Sequence, residues 1–205
     1  MAITNGYTTL AVLKSAMRIP SADTVDDAML ETAIEAASRQ IDGYCERVFY
    51  STAGLTRVYK PTDSFVTEID DLVSLTTIKT SSLGTGFDIT WKSTDYQLEP
   101  LNGVSGGLVT PATQIRAIGD YLFPLFNTNS VNAGEATVQV TGTFGWSAVP
   151  TAIKQATILL AQRQFKRYDS PLGVAGFGEI GVVRVSRIDP DVAAIIAPFR
   201  RMRIA

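Results

Sequence analysis

Residues 137–173, TVQVTGTFGWSAVPTAIKQATILLAQRQFKRYDSPLG, decide the fold. They read as a strand, a glycine turn, one long helix and an abrupt stop. Val138 and Val140 alternate with Thr137, Gln139 and Thr141, the period of a half-buried strand. Gly142 and Gly145 are expected to break that strand. Pro150 sits where a helix would start, because its missing N–H would lack a partner in the first turn anyway. The nineteen residues from Pro150 to Tyr168, at ~1.5 Å rise each, would span roughly 28 Å. Gln155, Gln162 and Lys166 form one polar stripe, and Ile153, Ile158, Leu159, Leu160, Ala161 and Phe165 take most of the remaining circumference. A helix so widely apolar is central, with neighbours on several sides. Asp169-Ser170-Pro171 ends it, since proline disfavours helical geometry in the residue before it.

Towards the N-terminus, Thr8 or Thr9 can cap a short helix with Leu10, Leu13 and Met17 at helical spacing, closed by Ile19-Pro20. Thr24-Val25-Asp26-Asp27 has the form of a capping box opening a second helix. On that helix Leu30, Ile34, Ala37, Ile41, Tyr44, Cys45 and Val48 share one face, and Glu31, Glu35, Ser38, Asp42 and Glu46 share the other. From Leu55 the texture changes to period-two stretches and turn residues. Expected strands are 56–60, 72–80, 87–92, 96–98, 113–118 and 137–144, a small antiparallel sheet or barrel. Turns at Pro61-Thr62-Asp63, Gly84-Thr85-Gly86, Asn102-Gly103, Gly106-Gly107 and Asn132-Ala133-Gly134 separate them. Residues 121–132 read as a loop with a hydrophobic anchor. Beyond Pro171, the run LGVAGFGEIG combines permissive glycines with apolar side chains that a free linker would not need. A strand is expected around Val183 and Val185. Asp189-Pro190-Asp191 opens a short helix that Pro198 stops.

At 205 residues, 45% hydrophobic and 19% charged, the chain can bury a core as one domain or two small ones. No apolar run approaches the ~18 residues of a membrane helix, and the first residues lack the pattern of a signal peptide. The single cysteine cannot form an internal disulfide, which suits a reducing cytoplasm. Charge is uneven: residues 1–148 hold nine basic and sixteen acidic side chains, and residues 149–205 hold nine and four. Either two differently charged surfaces serve two partners, or opposite charges meet within the fold.

The chain has no histidine, which removes histidine-based nucleophile systems and metal sites. Cys45 lies on the apolar helix face and is expected to be buried and inert. Asp26-Asp27 is expected to serve a helix start, and Asp70-Asp71 a solvated turn in preference to a cation site. GVAGFG resembles a broken dinucleotide fingerprint, but its glycines follow a helix instead of preceding one. Trp91 and Trp146 suit packing at sheet edges or stacking on sugars or bases. No catalytic, cofactor-binding or metal residue emerges, and no cofactor is expected.

Two stretches carry a resemblance. Residues 142–201, GTFGWSAVPTAIKQATILLAQRQFKRYDSPLGVAGFGEIGVVRVSRIDPDVAAIIAPFRR, and residues 7–50, YTTLAVLKSAMRIPSADTVDDAMLETAIEAASRQIDGYCERVFY, resemble the two halves of head-tail connector (adaptor, head completion) proteins of long-tailed bacteriophages. The middle of the chain matches only in style. The resemblance implies an α+β fold: a small bundle of three main helices plus a short C-terminal one at 1–54 and 147–205, with an antiparallel β-domain inserted at 55–146. It implies a structural virion protein, not an enzyme, made in the host cytoplasm and resident in the neck. There it would form a ring, twelve-fold in this family, beneath the portal. Implied partners are the portal protein, neighbouring copies, a downstream stopper or tail terminator, and viral DNA passing without sequence-specific contact; no membrane is involved. The interface candidates are Leu172, Val174, Phe177 and Ile180 of the glycine-rich segment, with Phe199, Arg200, Arg201, Arg203 and Ile204 of the tail. The alternative is a module whose β-domain binds a carbohydrate or host surface through Trp91 and Tyr96.

Overall fold

A computed structural model of the chain describes residues 3–81, 86–105, 107–125, 136–168 and 189–201. The fold is α+β and divides into two compact units, residues 1–48 with 149–205, and residues 49–148. The expected strand near Val183 lies outside the described residues.

The first unit holds α1 (Leu10–Met17), α2 (Asp27–Cys45), α3 (Thr151–Tyr168) and α4 (Pro190–Ile196), which runs into a 3-10 turn at Ala197–Phe199. The α-helix thus ends two residues before Pro198, as expected, and the chain continues as that 3-10 turn. The caps follow from side-chain chemistry. The Thr9 hydroxyl accepts from the Val12 N–H, and the Asp189 carboxylate accepts from the Asp191 N–H with Pro190 in the first turn. Leu30, Ala33, Ile34, Ala37, Ile41 and Cys45 of α2, and Ile153, Ala156, Leu160 and Ala161 of α3, are buried. Leu13, Val192, Ile196 and Phe199 complete the apolar core of this unit.

Two details of α2 differ from expectation. Asp26 stands at its N-cap without a side-chain cap, and no capping box forms. The Asp27 carboxylate is taken instead by the Lys14 ammonium at 2.7 Å. Lys14 is only 5% exposed and also donates to the Ser21 and Asp23 carbonyls. A buried ammonium needs its counter-ion more than a helix end needs a second cap. Second, the face expected to be solvated is half-covered by the N-terminal segment. The Thr4 and Asn5 N–H groups donate to Glu35, and the Tyr7 N–H to Ser38. The Tyr7 hydroxyl donates to Asp42. Ser38 is consequently fully buried, its hydroxyl also donating to the Ile34 carbonyl at 2.7 Å.

The second unit is an antiparallel sheet. Its strands are β1 (Thr52–Tyr59), β2 (Val66–Thr80), β3 (Ile89–Thr90), β4 (Tyr96–Glu99), β5 (Val104–Ser105), β6 (Leu108–Val109), β7 (Ala112–Ala117) and β8 (Val138–Phe144). The spatial order is β1-β8-β2-β7-β4, with β3 on β2; β5 and β6 form a separate hairpin. Sequence patterning misses the first six residues of β2, 66–71, and the β5–β6 hairpin, and it overextends β3. In β2 the alternation of buried residues switches phase at Asp71 and Leu72, both buried, where the register with β7 slips. Such a bulge hides the period-two signal.

Asp70 and Asp71 therefore lie inside a strand, not in a solvated turn. Asp70 pairs with Arg57 at 2.6 Å, and buried Asp71 accepts from the Trp146 indole at 3.0 Å. Nor does Gly142 break β8, which runs through to Phe144. A Cβ at 142 would meet the Ser74 carbonyl oxygen at 2.3 Å, so glycine is what lets the bulged β2 approach. Gly145, at φ +109°, does end the strand. A side chain there would meet the Tyr50 carbonyl oxygen.

Two stability outcomes follow. Ile34 is 0% exposed, so Ile34→Asp is expected to cost at least about 3 kcal/mol and to lower the melting temperature sharply; an unchanged melt would refute the buried face of α2. Gly145→Ala combines a left-handed backbone with a clash against backbone and is expected to destabilise by more than about 2 kcal/mol, read by denaturant titration against Gly43→Ala, where a Cβ meets nothing within 4 Å.

Candidate functional site

Among the described residues, Cys45 and Asp42 have structural roles. Cys45 is fully buried, and its thiol donates weakly to the Ile196 carbonyl at 3.8 Å. Burial pushes that thiol up to about 11. Burial also raises the Asp42 carboxyl, against the lowering effects of Tyr7 and Arg39. No cluster of three or more potential metal ligands occurs among the described residues. No described helix is long and apolar enough to cross a membrane.

The two tryptophans are packing residues. Trp146 is 1% exposed and lies 5.4 Å from the Phe49 ring. Trp91 is buried, its indole donates to the Thr80 hydroxyl at 2.9 Å, and its face is stacked on Phe123 at 4.8 Å. Phe123 is thus the hydrophobic anchor of the loop that follows β7. With Phe123 on its face, Trp91 is not an open stacking platform for the sugar-binding alternative, which leaves half-buried Tyr96 of the two aromatics it named.

The interface candidates divide three ways. Leu172, Val174, Phe177, Ile180, Arg203 and Ile204 lie outside the described residues. Phe199 is buried in its own unit, because the 3-10 turn folds its ring inward. Arg200 and Arg201 lie together at the C-terminal end of α2. The Arg201 N–H donates to the Cys45 carbonyl at 2.9 Å, and exposed Arg200 sits 5.9 Å from the Tyr44 ring. Cations at that end suit the helix dipole.

Folding also regroups the charge. The acidic N-terminal helices and the basic C-terminal segment belong to one unit, with thirteen basic and eleven acidic residues, while the unit 49–148 has five and nine. The imbalance along the sequence is therefore partly cancelled inside the helical unit.

What sequence reasoning missed is concave. A groove of about 380 Å³ runs between the first half of α2 and the end of α3, lined by Ala28, Met29, Thr32, Ala33, Ala36, Gln164, Phe165 and Tyr168. Its lining holds no carboxylate, amine, guanidinium or thiol to activate the Thr32 hydroxyl or the Tyr168 phenol, and suits apolar contact. Small residues on the outer face of α2 were its only trace in the sequence.

No family model matches the chain, and no curated protein does. Solved structures do. The whole chain is similar to a chain from the "Neck of empty GTA particle computed with C6 symmetry", at TM-score 0.61 and 19% identity, covering 95% of that chain. It is similar, again over its full length, to a chain of the "Virion of native gene transfer agent (GTA) particle", at TM-score 0.55, 20% identity and 95% of that chain. A chain from the "Neck of native GTA particle computed with C12 symmetry" gives TM-score 0.56, 19% identity and 94%. The fold is shared end to end. Identity this low speaks for fold alone.

The placement of Cys45 has a measurable consequence. Its thiol is expected to react with a maleimide or disulfide reagent at pH 8 only as fast as the protein unfolds, and promptly in denaturant. Its folded pKa lies above the ordinary 9.0, so the folded state keeps this proton longer than the unfolded one. The associated stability is therefore intact below about pH 9 and is lost as pH rises towards 11. Rapid labelling of the folded protein would contradict the assignment.

Proposed function

We propose that the protein is a structural component of the neck of a phage-like particle. In this reading it is a head-to-tail adaptor, set as a ring beneath the portal and linking capsid to tail around the DNA channel. The observation that carries the proposal is the full-length likeness of this fold to chains of symmetric particle necks. Helix starts and helix order consistent with the connector resemblance support it independently. The functional groups fit: buried tryptophans, a buried thiol and paired carboxylates hold the fold and leave no constellation for catalysis among the described residues. A cyclic ring requires heterologous contacts, in which one face of a subunit meets a different face of the next. DNA would pass without being held, because firm binding needs a row of phosphate-neutralising cations.

The portal and a downstream stopper or tail terminator are the proposed partners at the two ends of such a ring. The apolar side chains of 172–180 and the tail beyond Arg201 are the proposed contacts. Burial of Phe199 separates two truncations: one from 199 removes a core residue, while one from 202 spares it.

Mixing the protein with portal-bearing heads is expected to add a collar of density at the portal vertex in electron micrographs. Deleting residues 202–205 should weaken that binding while leaving the melting temperature unchanged, and deleting 199–205 should lower the melting temperature as well. Heads that never acquire the collar would refute the proposed role, and full binding by the shorter truncation would remove the tail from the interface.

A further inference from the structure

Among the described residues, the β5–β6 hairpin gathers several exposed apolar side chains. Val104 and Val109 face each other across its register and are 69% and 73% exposed, and Leu101 at its base is 65% exposed. No Asp, Glu, Lys or Arg occurs from Pro100 to Ile115, in a chain that is 19% charged. Short exposed hairpins ordinarily carry charges that keep other chains away, and clustered exposed apolar side chains mark a contact surface. The groove between α2 and α3 has the same character in concave form. None of its eight lining residues is charged, and Ala28, Ala33 and Ala36 leave space beside Met29, Phe165 and Tyr168.

We propose that the β5–β6 hairpin of one copy docks in the α2–α3 groove of a second copy of this chain. The inference rests on the ring reading above and names the contact that would propagate the ring. Two properties select a second copy as the occupant. A projection and a recess at different places on one chain make a heterologous contact, the kind that closes into a ring when the rotation permits. Both surfaces lack charge, so joining them strands no ion away from water; a charged partner would lose hydration at either one. Val104 and Val109 are short, stiff side chains that lose little freedom on entering a slot walled by alanine.

The test uses full-length chains. Val109→Cys and Ala36→Cys variants, prepared separately, are mixed at high concentration and mildly oxidised, with buried Cys45 as a silent background. The expected result is a disulfide-linked pair in the mixture and not in either variant alone, and ladders from the double variant. Val109→Asp, with an unchanged melting temperature, is expected to weaken self-association at least about tenfold. Rings of the wild type by native mass spectrometry, without the mixed cross-link and without an effect of Val109→Asp, would overturn this contact and leave the ring reading standing. A bond inside one chain between Ala36→Cys and Phe177→Cys, in place of the intermolecular one, would assign the groove to the chain's own segment and also overturn it. A wild type that never self-associates, free or on portal-bearing heads, would overturn both.

Discussion

The packing of α2 against α3 is the contact on which the helical unit depends. Both helices bury small residues along the shared core, Ala33 and Ala37 on one and Ala156 and Ala161 on the other. Alanine at a helix contact lets backbones approach closely, at no cost in side-chain entropy. Larger residues, Leu30, Ile34, Ile41, Ile153 and Leu160, fill the space around that contact, each contributing roughly 1.5–3 kcal/mol when fully buried. The same preference for small residues has a second effect. Where α2 presents Ala28, Thr32 and Ala36 outward, nothing on the helix fills the space next to Phe165 and Tyr168, and a groove is left.

Around this pair the other elements act as clamps. The N-terminal segment is tied along α2 through Glu35, Ser38 and Asp42. Lys14 ties α1 to the start of α2 through Asp27. At the other end α4 and its 3-10 turn return the chain to the C-terminus of α2, where Arg201 caps the Cys45 carbonyl. Where these clamps reach the interior, as at the Tyr7 N–H and the Lys14 ammonium, they satisfy groups that would otherwise be buried without a partner. For a protein proposed to work by contact, this matters more than any reactive group. The fold spends its polar residues on holding shape and leaves uncharged surfaces at the groove and the hairpin.

The sheet unit obeys a different constraint. Its long strand, β2, changes the face it buries part-way along, so that Ile69 and Asp71 precede Leu72 and Ile78 in opposite phase. That switch works only because β8 offers Gly142 where β2 comes close and because Trp146 supplies a donor to buried Asp71. The proposed function leans on this unit for the hairpin alone. The rest of the sheet, with Trp91 and Phe123 stacked inside it, is a platform.

Local chemistry made the helices legible in the amino-acid order. Thr9, Pro150 and Asp189-Pro190 mark their starts, and spacing of 3.6 residues marks the buried faces, because caps and periodicity act over one or two turns. The helix-rich ends also carried the resemblance to phage connectors, and with it the idea of a neck protein. Tertiary structure alone decided the rest. Asp27 serves Lys14 and not its own helix end, Ser38 is covered by Tyr7, and Asp71 is an interior strand residue, because in each case the partner lies far away in sequence and its energy outweighs the local preference. The groove left no more than the small residues of α2 in the sequence for the same reason: a recess belongs to two helices at once.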